Sequence, residues 1–179
     1  MKGSRMIESA KMRHGRPEDI DFVLGLVRAG ARDGHYAPWM QEPAHLEALR
    51  AALTQVVEHG GMARQSERGI EIVKAVLVIS EAGNLGRIAF LLAAEKMPGS
   101  EDTDVELYKC SVARPFRGQG IGTRLITSFV SGYPKQVRFF ARCYPKSTFM
   151  VAILRSVGFN QTGTTSQGTL LLERQSCVP

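Results

Sequence analysis

The stretch Ser111–Ile126, SVARPFRGQGIGTRLI, decides how this chain folds. A strand-like run ends in an Arg-Pro-Phe-Arg corner. Three glycines follow at alternate positions, and an apolar run with helical spacing begins at Ile121. Glycines at a strand-to-helix corner let the backbone approach a ligand, because no Cβ intervenes. The first turn of the helix presents N–H groups without intrahelical partners and the positive end of its dipole. The corner reads as an anion site, with a phosphate as the first expectation.

Residue identity excludes two common phosphate motifs. A Walker-type loop requires Lys and then Ser or Thr after its last glycine, whereas Gly122 is followed by Thr123 and Arg124. A dinucleotide fingerprint needs Gly-x-Gly-x-x-Gly and an acid about 20 residues further on. Gly118, Gly120 and Gly122 are spaced differently, and no acid lies between Glu106 and Arg155.

Outward from the corner, VELYKCSV (Val105–Val112) is the entering strand and QVRFFARC (Gln136–Cys143) the strand after the helix. A strand, helix and strand in succession imply a parallel pair. Upstream, IEIVKAVLVIS (Ile70–Ser80), the turn residues EAGNLG and RIAFLLAAEK (Arg87–Lys96) make an antiparallel hairpin. Further upstream stand a strand at Glu8–His14 and a helix with Ile20, Val23, Leu24 and Val27 on one face, stopping at Gly30. A loop, Arg32–Pro43, then precedes a helix with Leu46, Leu49, Leu53 and Val56 on one face and its stop at Gly60-Gly61. Downstream, Phe149, Ile153 and Val157 share a helical face that Gly158 ends, and Gly168–Arg174 is the last strand. The order β-α-α-β-β-β-α-β-α-β-β predicts an α/β fold with a mixed, mostly antiparallel sheet, one central parallel pair and flanking helices. Residues 8–179 are expected to form a single domain after a flexible end at 1–7.

At 179 residues and 44% hydrophobic content, one sizeable core is expected. The apolar run Ile88–Ala94 is too short for a membrane span. The charged start has no apolar core behind it, unlike a secretory signal, so a cytoplasmic location and no membrane partner are predicted. Cys110, Cys143 and Cys177 are an odd number without Cys-x-x-Cys spacing, which argues for reduced thiols. The four histidines are scattered, and no metal site is expected.

The net charge of +6 is unevenly placed. Val105–Arg155 holds nine basic residues against Glu106 alone, a net +8, leaving −2 for the remainder. This field suits a polyanionic small ligand. Arg138, Phe140, Arg142 and Tyr144 alternate as a nucleic-acid stacking platform would. Their strand belongs inside the sheet, however, so nucleic acid is not the expected partner.

The glycine corner, the element order and the VGF ending of the later helix (Val157–Phe159) together resemble the GCN5-related N-acetyltransferase (GNAT) family. Arg117, Gly120 and Gly122 fill its Arg/Gln-x-x-Gly-x-Gly/Ala motif, and the likeness runs from about residue 8 to the end. The resemblance implies acetyl-CoA as cosubstrate and direct transfer of its acetyl group, in a ternary complex, to a small-molecule or peptide amine. It implies cofactor binding by Arg117, Gly118, Gln119, Gly120, Ile121, Gly122 and Thr123, with the backbone amides from Gln119 to Thr123 facing the pyrophosphate. It implies a pantetheine arm along Cys110, Ser111 and Val112, with an N–H near Val112 as oxyanion donor. Ser147 stands where relatives carry a ligand-contacting asparagine, and can also serve as a helix N-cap. Leu154 stands where they carry a thiolate-protonating tyrosine, which leaves Tyr144 as the candidate acid. Glu106 is the candidate base, with ion pairing as its alternative role and Glu95 as a weaker candidate. Tyr36 and Trp39 are candidate acceptor-lining residues, with plugs against the sheet as their alternative. A non-catalytic acyl-CoA-binding module is the competing function, and a homodimer is left open.

Overall fold

The computed structural model describes residues 10–66, 69–95 and 104–174. Its elements are β1 (Lys11–His14), α1 (Ile20–Arg32), α2 (Pro43–His59), β2 (Gly61–Ser66), β3 (Gly69–Glu81), β4 (Arg87–Glu95), β5 (Asp104–Val112), α3 (Ile121–Ser131), β6 (Arg138–Cys143), α4 (Thr148–Ser156), β7 (Asn160–Thr164) and β8 (Leu170–Arg174). The expected strand start at Glu8, the end at 1–7, Lys96 and Cys177 lie outside the described residues.

The strands form one sheet in the order β1-β3-β4-β5-β6-β8-β7, with β2 beside the first half of β3. Every pairing is antiparallel except β5 with β6. The mixed sheet with its central parallel pair is therefore as the sequence predicts, with β2 as one strand more.

Alternation along the central strands divides the core between two faces. On one face Leu91, Ala93, Val105 and Leu107 pack with Ile121, Leu125 and Ile126 of α3 and Leu154 of α4. On the other, Phe90, Leu92 and Ala94 pack with Val23 and Val27 of α1 and Leu49 and Leu53 of α2. β4, with Ile88 through Ala94 all buried, faces helices on both sides. That explains its uninterrupted apolar run.

A buried charge cluster fixes the start of α1. Asp19 accepts hydrogen bonds from Arg13 Nη1 and Nη2 at 2.6 and 3.0 Å and from the Arg16 N–H at 2.8 Å. Arg87 adds an ion pair at 3.4 Å, and Arg13 also binds Glu81. The Asp19 carboxylate thus ties the start of α1 to β1 and β4, and Arg13 extends the link to β3. Among the described residues no helix is long and apolar enough to cross a membrane.

Candidate functional site

The site begins where two parallel strands part. β5 and β6 pair from Asp104–Arg138 to Leu107–Ala141 and no further. Beyond that fork, Tyr108–Val112 keeps β4 on one side and leaves the other edge without a strand. A cleft of about 1240 Å³ opens there, reaching from the glycine corner to the loop between α1 and α2.

A bulge sets which side chains enter it. Leu92 lies opposite Lys109 and Ala93 opposite Leu107, so Tyr108 is an extra residue. Leu107, Cys110 and Val112 consequently pack toward α3 and α4, while Tyr108 packs toward α1 and α2. Lys109 shares the side of Tyr108: its Nζ lies 4.7 Å from the Tyr108 ring centroid and 5.1 Å from that of Tyr36.

At the anion end, Gly118 and Gly120 have φ of +74° and +72°, with no atom within 4 Å of an added Cβ. Gly120 is the N-cap of α3, and its carbonyl accepts the Arg124 N–H. The N–H groups of Ile121, Gly122 and Thr123 therefore lack intrahelical partners. Gly122 differs from the expectation that all three glycines clear space for a ligand. It is buried, and a Cβ there would stand 3.0 Å from Ile153 Cδ1, so it sets the approach of α3 to α4. Arg117 Nε donates to the Val112 carbonyl at 3.0 Å and Gln119 Nε2 to that of Pro115 at 3.1 Å; both side chains brace the corner.

Along the open edge, Cys110 is a strand residue whose thiol is pushed up to about 12 by burial, which removes it as a nucleophile. Its carbonyl accepts a 2.7 Å bond from the Tyr36 hydroxyl, and Ser111 beside it is buried. The Tyr36 ring lies over Gly30, where a Cβ would meet it at 2.7 Å. Gly30 is thus a seat for the ring and not a helix stop; α1 continues to Arg32. Trp39 stays 46% exposed at the cleft, on a short turn at Pro38–Gln41.

The opposite wall comes from β6 and α4. Tyr144 follows β6 and lines the cleft, and its hydroxyl makes no hydrogen bond among the described residues. Ser147 stands at the N-cap of α4 without capping it through its side chain. Its hydroxyl reaches the His35 carbonyl at 3.4 Å, linking α4 to the α1–α2 loop. The expected buried face of α4 is also corrected. Val151 and Leu154 are its buried residues, whereas Phe149 is 84% exposed and lines the cleft with Ile153. The helix is apolar on both sides because one faces the core and the other the cleft.

Glu106 lies at the fork, 1% exposed. Its Oε1 accepts from Arg142 Nε at 2.9 Å and contacts Nη2 at 2.8 Å; its Oε2 stands 2.6 Å from Arg64 Nη2. Oε1 is thus hydrogen-bonded to Arg142, whereas the buried Oε2 is in ion-pair contact with Arg64 and accepts no hydrogen bond among the described residues. Glu95 lies opposite Val105, away from the cleft lining. Arg64 comes from β2, a strand that the sequence pattern does not predict. Its trace in the sequence is Met62 and Arg64 on alternate positions before the Gly69–Ile70 strand start. In the sequence Lys109 is likewise only one of the basic residues of Val105–Arg155. Burial pushes its ammonium down to about 8, with Arg142 adding to the fall and Glu106 opposing it.

No family model matches this chain, and the comparison with curated proteins finds no relative. Solved structures do match over nearly its whole length. A GNAT-family acetyltransferase from Streptococcus agalactiae 2603 superposes with a TM-score of 0.66 at 13% identity, covering 94% of this chain and 96% of its own. The PaiA N-acetyltransferase from Thermoplasma acidophilum, in complex with coenzyme A, gives 0.65 at 14% identity over 93% and 99%. Spermidine N-acetyltransferase from Vibrio cholerae, in complex with CoA and spermine, gives 0.65 at 13% identity over 94% and 96%. Likeness at such identities speaks to architecture, and the architecture of this chain is the GNAT fold.

Proposed function

We propose that this protein is an N-acetyltransferase that uses acetyl-CoA. The carrying observation is the fork: an unpaired strand edge, Tyr108–Val112, leads directly to two glycines in open space and a bare helix N-terminus. A long ligand with a peptide-like arm and an anionic end fits that sequence of surfaces. The CoA-bound structures that share this fold agree with the reading.

Bound there, acetyl-CoA supplies an acetyl group activated as a thioester. The N–C bond forms as the C–S bond breaks; the amine gives up one proton and the thiolate gains one. The N–H groups of Ile121, Gly122 and Thr123 would hold the pyrophosphate, with Gly118 and Gly120 keeping the approach open. The edge N–H near Val112 would receive the developing negative charge. Cys110 and Val112 already give one carbonyl lone pair each to Tyr36 and Arg117, which stiffens that edge.

Because Glu106 is buried and ion-paired to two guanidinium groups, Glu106 holds Arg142 in place and the base role passes to Lys109, whose ammonium burial brings down to about 8. The unbonded Tyr144 hydroxyl would protonate the leaving thiolate. Trp39 covers the acceptor end. Gly120→Glu tests the reading: its side chain and charge would occupy the anion end, so CoA affinity should fall at least about tenfold by calorimetry. Unchanged affinity in a folded variant would refute it.

A further inference from the structure

Resting on that reading, the fork also points to the class of acceptor. The cleft wall is one-sided in charge: Glu106 is the one carboxylate among its described lining residues, against Lys109, Arg117, Arg142 and Lys146. Arg117 is turned to the Val112 carbonyl at the corner. Lys146 lies along Gly34. Lys109 and Arg142 remain at the fork itself. Arg64, behind Glu106, is not part of the lining. Since Arg64 and Arg142 together exceed Glu106 by one charge, the fork is positive even with Lys109 neutral.

Arg142 is arranged as a receptor group. Nε and Nη2 both contact the buried Glu106, at 2.9 and 2.8 Å, so the plane of the guanidinium is fixed. Nη1 makes no hydrogen bond among the described residues, and the side chain is 48% exposed. The end-on edge formed by Nη1 and Nη2 thus keeps donors to spare in a side chain that lines the cleft. A planar fork of this kind matches a carboxylate.

We propose that the acceptor is an amine that carries a carboxylate, held by the end-on edge of Arg142. The arrangement serves the chemistry as well as recognition. A carboxylate offsets the positive fork, so a zwitterion can enter. The same positive charges then disfavour the protonated form of its amine, which must be neutral to attack. A polycation such as spermidine is repelled from both groups. The carboxylate can belong to a free amino acid or to an acidic residue beside a peptide N-terminus.

The test uses the full-length protein, acetyl-CoA and a thiol-release readout with matched acceptors: phenylalanine against phenethylamine, the peptide amides Ala-Asp against Ala-Asn, and spermidine. The carboxylate-bearing member of at least one pair should be preferred about tenfold or more in kcat/KM, with spermidine poorest. The two pairs separate the free amino acid from the peptide source. Arg142→Gln should collapse that preference through KM, and Arg142→Lys, which keeps the charge without the fork, should restore only part of it. 3-Phenylpropionate, a carboxylate without an amine, should compete with the acceptor in the wild type and lose that competition in Arg142→Gln. Turnover of amines without carboxylate preference, or a preference that survives Arg142→Gln, overturns this inference and leaves the acetyltransferase reading standing. Failure to bind acetyl-CoA overturns both.

Discussion

Replacing Lys109 by Met should make the protein more stable and less active at the same time. Burial against two tyrosine rings brings the Lys109 ammonium from its ordinary 10.5 to about 8. Below pH 8 the folded state carries that charge at a cost of about 3 kcal/mol, from roughly 1.4 kcal/mol for each pKa unit. Attraction to the ring faces, roughly 0.5–1 kcal/mol each, is also lost on substitution. A net gain of about 1–2 kcal/mol at pH 7 is expected, or roughly 2–8 °C in Tm for a chain of this size. The pH dependence supplies the sharper check. Folded Lys109 releases its proton near 8, whereas the unfolded chain holds it to about 10.5. Between those values the unfolded state binds more protons, so wild-type stability rises with pH relative to the variant. Between pH 7 and pH 10 the wild type should gain about 2–3 kcal/mol on the variant, so thermal unfolding should show the variant's advantage at pH 7 lost or reversed at pH 10. A variant that is less stable at pH 7, or an unchanged difference at pH 10, would refute the reasoning. Turnover should fall, with the loss of the kinetic limb near pH 8.

Substitutions at two other positions probe the scaffold around the cleft. Although burial opposes it, hydrogen bonds from Arg13 and Arg16 hold the Asp19 carboxyl below its ordinary value, so its contribution is present above that value and lost as pH falls. Asp19→Asn should cost about 3 kcal/mol at pH 7, measured by urea unfolding, and should flatten the loss of stability below about pH 4. Leu154→Tyr and Leu154→Phe should each lose about 1–3 kcal/mol by overpacking a residue that is 1% exposed, with equal turnover; a Tyr variant that outpaces Phe at matched stability would show that a phenol there reaches the reacting sulfur.

The elements that position the cleft were legible because their apolar periods are unmistakable. Ile20, Val23, Leu24 and Val27 are all buried, as their helical spacing predicts. The glycine corner was legible because Gly118 and Gly120 stand between a strand and a helix, and both adopt φ near +70°. What the sequence hides is the fine register. Strict alternation along Glu106-Leu107-Tyr108-Lys109 would put Lys109 on the side of Leu107. The bulge opposite Leu92 and Ala93 turns it to the side of Tyr108 instead, and a bulge leaves no local mark in that run of residues. β2 is hidden for a different reason: only Met62 and Ala63 of GMARQS are apolar, so no alternating apolar pattern marks it, although it pairs with the strand that directly follows it. Without β2 there is no Arg64, and Glu106 looks like a lone acid in a basic segment. For α4, the apolar residues around the whole helix concealed which face is core and which is cleft.

Pairing Glu106 with two arginines does more for the site than neutralise a buried carboxylate. Burying a charge is costly unless its partners are close and aligned, and the arrangement gains little stability over an apolar replacement. Its effect lies in position. Arg64 reaches Glu106 from β2, and Arg142 reaches it from the neighbouring strand β6. The carboxylate therefore holds a guanidinium rigidly at the point where β5 and β6 part, and a long flexible side chain loses little further freedom when it binds a ligand. Lys109 completes the arrangement from the bulge, where the Arg142 charge helps keep its ammonium easy to deprotonate. Adding an acid at the fork would raise the Lys109 pKa and compete for Arg142 at once. Burial is what brings the Lys109 ammonium down to about 8, and the scarcity of carboxylates in this half of the chain, first visible as a lopsided charge count, leaves Glu106 as the one group opposing that fall while Arg142 keeps Nη1 without a hydrogen bond among the described residues.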